Sequence, residues 1–172
     1  MSIDIKNYHV LENSKMKNVS LETAIVKDAA NIFDIQVKAF SPLLEKYKDF
    51  DTSPANESVD RVIARITNPQ GKFYKIMLDQ ELVGAICVLW KESNHYWISP
   101  MFIDPEYQGQ GIAQKAILLA EEMYPKAISW ELATILEEAS NCYLYEKMGY
   151  TQTEEKRKIN DNTTLVYYEK SV

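Results

Sequence analysis

Small and amide side chains alternate in the run Gln108-Gly109-Gln110-Gly111-Ile112-Ala113, between a strand pattern and a long amphipathic helix pattern. The short side chains at 109, 111 and 113 let the backbone approach a ligand closely. The following helix directs its free N–H groups and its positive dipole end at the same turn. The backbone amides from 109 to Gln114 therefore predict a phosphate or diphosphate site. An isolated Gly-x-Gly is also typical of an ordinary strand-to-helix connection, so the flanking elements decide between the two interpretations.

The charge balance narrows the class of ligand. The chain has 172 residues, with 19 Lys and Arg against 25 Asp and Glu, and a net charge of −6. Binding to nucleic acid needs clustered basic charge, so we do not expect nucleic acid as the main partner. An acidic protein suits a cationic substrate such as an amine, although most acidic proteins are acidic only for solubility. The length predicts one domain with a sizeable core.

The sequence shows no targeting or metal-binding pattern. Cys87 and Cys142 lie in apolar runs without metal-ligand spacing, so we expect neither a metal site nor a disulfide framework. The N-terminal residues lack the apolar segment of a signal peptide, and no run reaches the length of a membrane span. We therefore expect a cytoplasmic protein with no membrane partner.

Hydrophobic periodicity predicts strands and helices on both sides of the turn. We expect a strand over 20–26 and a helix over 29–40, capped by Asp28 and ended by Ser41-Pro42. Residues 41–53 are predicted as a loop or short irregular helix, and Ser53-Pro54 as the start of a second helix. Further strands are predicted over 72–78, 82–90, 95–104, 127–134, 150–158 and 163–170. A helix over 139–148 is predicted to end at Gly149.

The helix after Gly111 is expected to bury one face, formed by Ile112, Ala113, Ala116, Ile117, Ala120 and Met123. Together with the strands before and after it, this helix predicts a parallel strand pair. Pro100 lies inside the first of those strands and cannot donate a ladder hydrogen bond, so it marks an edge, a bulge or a place where strands part. The whole order predicts a single α/β or α+β layered domain over 20–172, with a mixed sheet and helices on both faces. Residues 1–19 are predicted as an N-terminal arm or a frayed end.

This order and three local signatures resemble the GNAT N-acetyltransferase superfamily over roughly residues 20–170. The run Gln108-x-x-Gly111-x-Ala113 is similar to the family's Arg/Gln-x-x-Gly-x-Gly/Ala coenzyme A loop, and Tyr145-Glu146-Lys147-Met148-Gly149-Tyr150 resembles its Tyr-Glu-Lys-x-Gly-Phe/Tyr segment. Ala39-Phe40 at the end of the first helix is a weaker match. Family members often carry Asn seven residues before the tyrosine, where this chain has Glu138. The resemblance implies a central sheet of about seven strands, flanked by four helices, with a splayed parallel pair.

The resemblance implies acetyl-coenzyme A as the acyl donor. Its diphosphate would bind at Gln108, Gly109, Gln110, Gly111, Ile112, Ala113 and Gln114, and its pantetheine arm at the backbone of Met101, Phe102 and Ile103 and at Asn141. Tyr145 is implied as the general acid that returns a proton to the departing thiolate, because a phenol with a pKa of about 10 stays protonated at neutral pH. A core tyrosine is the alternative interpretation of Tyr145.

The same resemblance implies a primary amine as the acceptor, carried by a small molecule or a peptide and attacking directly in a ternary complex. Glu131, His95 and Glu92 are candidate bases, and a proton relay through water is the alternative. Candidate acceptor-pocket residues are Tyr47 and Phe50 between the first two helices, with Glu131 and Tyr167 on later strands; aromatic rings there would suit a cation. The last strand also leaves a homodimer contact open.

Two other functions remain open from the sequence. One is a non-catalytic sensor of acyl-coenzyme A with the same fold, which Glu138 in place of Asn keeps open. The other is a Rossmann-like nucleotide binder, which would place an acidic residue at the end of the second strand of the β-α-β unit. That strand ends in Ala133-Thr134 here, which disfavours the nucleotide binder.

Overall fold

The structure, a computed structural model, describes residues 18–172. These residues form seven strands: β1 (Val19–Thr23), β2 (Gly71–Leu78), β3 (Glu81–Trp90), β4 (His95–Ile103), β5 (Ser129–Ile135), β6 (Thr151–Asn160) and β7 (Thr163–Ser171). They also form four α-helices: α1 (Ala29–Tyr47), α2 (Val59–Thr67), α3 (Ile112–Met123) and α4 (Ala139–Lys147). The predicted layered α/β class, with a seven-stranded mixed sheet and four helices, is confirmed.

One sheet contains all seven strands in the order β1-β2-β3-β4-β5-β7-β6. Each neighbouring pair is antiparallel except β4 and β5, which run parallel because α3 carries the chain back between them. The parallel pairing ends at Ile98 and Leu132. Beyond that point β4 still pairs with β3 as far as Ile103, and β5 still pairs with β7 as far as Ile135. The two central strands therefore part, as the proline at 100 indicated.

Each face of the sheet carries its own hydrophobic core. On one face α3 and α4 cover a core that includes Ile98, Ile117 and Trp130. On the other face α1 and α2 cover a smaller core that includes Ile32 and Phe73. Because strand side chains alternate between faces, neighbouring residues of β4 and β5 point to opposite layers. This alternation decides which residues at the parting reach which helix pair.

The first helix continues past the point where we expected Ser41-Pro42 to end it, and that prediction is wrong. α1 runs to Tyr47 with Pro42 inside it, and residues 41–47 are helical rather than a loop. The Ser41 hydroxyl donates to the Val37 carbonyl, which adds a side-chain bond in the turn where Pro42 has no N–H to donate. At the far end Tyr47 is buried, and the chain leaves the helix through Lys48 in the left-handed conformation.

The second helix begins later than predicted. Ser53-Pro54 starts only a 3-10 turn over Pro54–Asn56, where the Ser53 hydroxyl accepts from the amide of Ala55 at 3.2 Å; α2 begins at Val59. The side-chain amide of buried Gln36 donates to the Pro54 carbonyl at 2.8 Å. In an α-helix starting at Pro54 this carbonyl would accept from the backbone amide four residues later, so Gln36 competes with that helical bond.

Two smaller expectations are also wrong. Asp28 lies at the predicted N-cap position of α1, but its carboxylate forms no capping bond to the helix and instead accepts from the Ile25 amide at 2.8 Å and from Lys75 at 3.3 Å. Met123, expected on the buried face of α3, is 47% exposed, because it lies in the last turn of the helix, beyond the sheet contacts made by Ala116 and Ala120.

The strand predicted over 20–26 is shorter than expected, because β1 ends at Thr23 and a 3-10 turn begins at Val26. Val19 already lies in β1, and the remainder of the predicted N-terminal arm, residues 1–17, falls outside the described residues. The strand predicted over 127–134 is Ser129–Ile135, and that over 150–158 is Thr151–Asn160. Within residues 18–172, no helix combines the length and the hydropathy needed to cross a membrane.

Candidate active site

A cleft of about 270 Å³ opens where β4 and β5 part. Ser99 and Met101 line it from β4, and Ala133 and Thr134 line it from β5. Helices from both layers reach the same cleft, α1 through Phe40, Leu43, Leu44 and Tyr47, and α4 through Asn141 and Tyr145. The parting of the strands thus makes a passage through the sheet, from the α4 face to the α1 face.

The close approach of β3 and β4 accompanies this parting. A Cβ atom at Gly84 would lie 2.2 Å from the carbonyl oxygen of Phe102, so only glycine fits at this point of β3. The side chain of Phe102 points into the α1 core, where its ring meets that of Phe40 edge-on at 5.8 Å. Of the three strand residues predicted to hold the pantetheine by their backbone, Met101 lines the cleft, and Phe102 and Ile103 do not. For Phe102 and Ile103 the predicted contact would be made by backbone.

Tyr145 lies on the α4 side of the cleft. Its ring is held between Tyr150, 6.3 Å away, and Tyr168, 6.0 Å away, between centroids. Burial raises the pKa of the Tyr145 phenol to about 12. Among residues 18–172 no group forms a hydrogen bond with the Tyr145 hydroxyl, which leaves it available to a molecule in the cleft. The side chain is thus both part of the core and part of the cleft wall.

The predicted anion site lies beside the cleft, in a second cavity of about 420 Å³. Gly109 and Gly111 have φ values of +79° and +78°, the left-handed region that glycine adopts without strain. Along the chain from Gly109, the first backbone amide that donates to a backbone carbonyl is that of Lys115, which bonds to the Gly111 carbonyl at 3.2 Å. In the described part of the chain the amides of 109–114 have no backbone acceptor, so six consecutive N–H donors surround the start of α3.

Side chains at the turn match the prediction unevenly. Gln108, Gly109, Gly111, Ile112, Ala113 and Gln114 line the cavity, whereas Gln110 does not. The Gln108 amide donates to the carbonyl of Ile103 at 2.9 Å, which ties the turn to the end of β4. A ligand held by the turn therefore lies directly beyond the parted strands.

The opposite wall of this cavity comes from α4, and the sequence reasoning missed it. Ser140, Tyr143, Leu144 and Lys147 line it, and they lie at the i, i+3, i+4, i+7 spacing of one helix face. That spacing was readable, but which face of α4 meets the turn was not. Lys147 brings a positive charge to a cavity that already has free N–H donors, which favours an anionic ligand.

The mouth of the cleft on the α1 side is crossed by a short polar contact. The Tyr47 hydroxyl donates to Glu138 at 2.6 Å, and the Lys46 ammonium reaches the same carboxylate oxygen at 3.0 Å. Asn160 donates to the Tyr47 carbonyl at 2.7 Å. Burial would raise the pKa of Glu138, but the hydrogen bonds from Tyr47 and Lys46 outweigh burial and lower it. We call this contact the Tyr47–Glu138 bridge; it joins the end of α1 to the start of α4.

Several predicted acceptor residues lie elsewhere. Phe50 is 57% exposed and does not line the cleft, because the chain turns outward after Lys48. Glu131 and Tyr167 line a third cavity, of about 730 Å³, on the same sheet face but nearer the start of β4. Glu131 forms an ion pair with Lys91 there.

The other two candidate bases are distant from the parting. His95 begins β4 and forms a hydrogen bond with the Ser129 hydroxyl, and Glu92 lies in the exposed turn before it. His95 and Ser99 are four positions apart on β4, which is a distance of about 13 Å along the strand. Neither side chain is placed to take a proton from a nucleophile bound in the cleft. Within residues 18–172 no cluster of three or more His, Cys, Asp or Glu side chains could hold a metal ion.

Comparison with known proteins agrees with this geometry. The model of the acetyltransferase (GNAT) family matches residues 31–150. A curated relative from Bacillus subtilis (strain 168), the uncharacterized protein YrkN, is 30% identical over 142 residues, covering 79% of this chain and 76% of the relative. The chain therefore belongs to the acetyltransferase (GNAT) family, and the resemblance seen in the sequence is confirmed.

Solved structures show the same fold at low sequence identity. The PaiA N-acetyltransferase of Thermoplasma acidophilum, in complex with coenzyme A, is 14% identical with a TM-score of 0.75, covering 90% of this chain and 99% of that one. The ribosomal-protein-S18-alanine N-acetyltransferase of Escherichia coli is 12% identical with a TM-score of 0.73, covering 90% and 94%. A chimera of the spermidine N-acetyltransferase SpeG from Vibrio cholerae and hSSAT is 17% identical with a TM-score of 0.69, covering 89% of this chain and 95% of that one.

Proposed function

We propose that this protein transfers the acetyl group of acetyl-coenzyme A to a primary amine, by direct attack in a ternary complex. The passage through the sheet carries this proposal. The turn over residues 108–114, which we call the diphosphate turn, and Tyr145 lie on the α3 and α4 side of the sheet. The end of α1 lies on the other side of the same passage. A donor entering from one face and an acceptor entering from the other would meet where β4 and β5 part.

The donor would be held mainly by backbone. The diphosphate would accept from the N–H groups of 109–114 and pair with Lys147, and the pantetheine arm would add to the free edge of β4 at Met101–Ile103. A free N–H of this edge would donate to the thioester carbonyl oxygen as negative charge develops on it. Asn141 would contact the arm from α4. The relatives that contain coenzyme A support this arrangement by their fold alone.

The chemical step would begin with the lone pair of a neutral amine attacking the thioester carbonyl carbon. The tetrahedral intermediate would then break its C–S bond, giving an amide and the thiolate of coenzyme A. The amine nitrogen loses one proton and the thiolate sulfur gains one, so the reaction needs no external oxidant or reductant. The Tyr145 hydroxyl would face the leaving sulfur from α4.

The raised pKa of Tyr145 defines how it would act. A thiol has an ordinary pKa of about 8.5, so a phenol of pKa about 12 would lose its proton to a thiolate only at a cost of about 5 kcal/mol. Tyr145 would therefore stabilise the departing sulfur by donating a hydrogen bond to it while keeping its own proton. The proton that the thiolate finally gains would come from water.

The amine proton would pass to water rather than to a single side chain. Glu131 is bound to Lys91 in the neighbouring cavity, and His95 lies at the far end of β4. Leaving the proton to water requires only that solvent reach the cleft, whose α1 end is lined by Tyr47 and Ser53.

Two measurements on one preparation test the proposal. Calorimetric titration with coenzyme A should show saturable binding, and acetyl-coenzyme A with a panel of primary amines should release free thiol only when both are present. Binding without thiol release for any amine would make the chain a non-catalytic acyl-coenzyme A binder. Thiol release with no dependence on the amine would indicate hydrolysis and would contradict amine transfer.

A further inference from the structure

The cavity of about 730 Å³ beside the cleft is lined by aromatic rings and carboxylates, and the acetyl-transfer step does not use it. A single row of paired strand residues crosses its floor. Leu89 pairs with Trp97, Trp97 with Glu131, and Glu131 with Glu169. We call this cavity the acidic trough. Two glutamates directly opposite each other on neighbouring strands repel unless a cation lies between or above them.

The trough continues the cleft along the same face of the sheet. Ser99 and Ala133 line the cleft, and Trp97 and Glu131 line the trough two residues earlier on the same two strands; Tyr167, the β7 partner of Ala133, also lines the trough. Because strand side chains repeat every second residue, each of these pairs shares one face. The two rows are about 7 Å apart along the strands. A molecule reacting in the cleft can therefore reach the trough with a short linear extension.

One ammonium already occupies part of the trough, and it shows what the walls bind. The Nζ atom of Lys91 lies 5.1 Å from the ring centroid of Trp97 and also forms an ion pair with Glu131. This is the arrangement in which an aromatic face and a carboxylate hold an alkylammonium together. The ring of Tyr167 lies 6.1 Å from that of Trp97, so a second aromatic face adjoins the same place.

The charges of the trough leave room for another cation. Its lining has three glutamates, at 131, 155 and 169, and one lysine, at 91, which gives a net charge of −2. Within residues 18–172, Lys91 is paired with Glu131, and no cation is paired with Glu169 or Glu155. Lys91 itself is 51% exposed and can move aside or share the site.

We propose that the acidic trough binds the second ammonium group of a linear di- or polyamine whose first amine is acetylated in the cleft. This inference rests on the proposed acetyl transfer and names its acceptor class. Roughly three or four methylene groups between the two nitrogens would span the distance between the rows. The trough thereby makes Trp97, Glu131 and Glu169 determinants of acceptor specificity, and Glu131 a binding residue rather than the base.

Three amines of equal carbon length test the proposal: 1,4-diaminobutane, butylamine, which lacks the second ammonium, and 4-aminobutanoate, which replaces it with a carboxylate. Their binding to the enzyme–coenzyme A complex is measured by calorimetry, and their turnover by thiol release. We expect diaminobutane to bind and react at least about tenfold better than butylamine, and 4-aminobutanoate less well than either. Equal use of butylamine and diaminobutane overturns the proposal.

Variants locate the effect in the trough. Glu169→Gln should reduce the preference for diaminobutane over butylamine about three- to tenfold, whereas Lys91→Gln, which removes a competing ammonium, should increase it. Glu122→Gln, at an exposed position of α3, changes the net charge by the same amount as Glu169→Gln but outside the trough, and should leave the preference unaltered. A preference that Glu169→Gln and Lys91→Gln leave unaltered overturns the proposal.

The binding and turnover readouts separate this inference from the proposed function. Preferential binding of diaminobutane without thiol release supports the trough and contradicts acetyl transfer to amines. Thiol release with butylamine and diaminobutane alike supports acetyl transfer and contradicts the trough. Faster thiol release with a peptide whose side chains are uncharged, and whose α-amino group is the acceptor, than with diaminobutane also overturns the trough as the acceptor site.

Discussion

Tyr47, at the last turn of α1, donates a 2.6 Å hydrogen bond to Glu138, which precedes α4. The two residues are 91 positions apart in the chain, and their contact joins the end of α1 to the start of α4, two helices that cover different faces of the sheet. Glu138 occupies the position where related acetyltransferases often carry Asn. Its carboxylate is already committed to Tyr47 and Lys46, so it braces the cleft rather than extending into it.

The Tyr47–Glu138 bridge should contribute measurable coupling to stability. We expect a double-mutant cycle of Tyr47→Phe and Glu138→Met, which removes the acceptor, to give a coupling energy of about 1–2 kcal/mol in chemical denaturation, because one partner is charged and both are largely shielded. The double variant serves as the internal control, since it lacks both partners. A coupling energy within error of zero would mean that the contact does not stabilise the fold.

The same bridge should weaken in acid. The pKa of folded Glu138 is lowered, so its contribution to stability is present above its unfolded pKa of about 4.3 and is lost as pH falls through the lowered value. We expect the difference in unfolding free energy between the wild type and Glu138→Gln to be present at pH 7 and to shrink progressively as the pH is lowered below about 4.3. A difference that is constant over this range would contradict the assignment to Glu138.

The diphosphate turn should depend on the backbone at Gly111 rather than on space around it. A Cβ at Gly111 would meet no protein atom within 4 Å, yet φ is +78°. Gly111→Val should weaken coenzyme A binding roughly 5- to 100-fold, from a strain of about 1–3 kcal/mol. Gly111→Asn is the matched control, because Asn adopts this conformation more readily, and it should lose much less. Calorimetry measures both, and equal losses would refute the role of φ.

Tyr145→Phe should separate catalysis from binding. We expect the turnover number to fall about 100- to 10,000-fold, the range of a lost acid or base, while coenzyme A affinity stays within about threefold. Tyr150→Phe is the control, since its hydroxyl bonds to Glu121 on the side of the core away from the cleft and its ring packs on Tyr145. If both variants lose turnover equally, Tyr145 acts only through packing.

The pH profile of turnover gives an independent view of Tyr145. Burial raises the pKa of this phenol to about 12, so its proton is retained up to that pH and is lost only above it. With saturating acceptor, we expect the turnover number to stay level between pH 8 and about pH 10, where an ordinary tyrosine is half ionised. A fall with an apparent pKa near 10 that is absent in Tyr145→Phe would contradict the buried environment.

The features of the fold and the site that the sequence predicted correctly are those formed by residues close together in the chain. The diphosphate turn, Pro100 and the helix carrying Tyr145 are each local patterns, and each lies where it was expected relative to the sheet. Local patterns also misled, because the Pro42 stop and the Ser53-Pro54 start were judged without the tertiary partners that override them. Tyr47 and Gln36 make contacts that no short window of sequence contains.

The sequence by itself determined the family and the layered fold, and it predicted the donor side of the site, because a strand, a turn and a helix N-terminus within twenty residues are the elements of an anion site. Only the tertiary structure brought together the residues of the proposed acceptor side. Trp97, Glu131 and Glu169 meet through strand register across β4, β5 and β7, and Lys147 meets the turn through the rotation of α4. Register and helix rotation are set by packing of the whole sheet, and no local spacing specifies them.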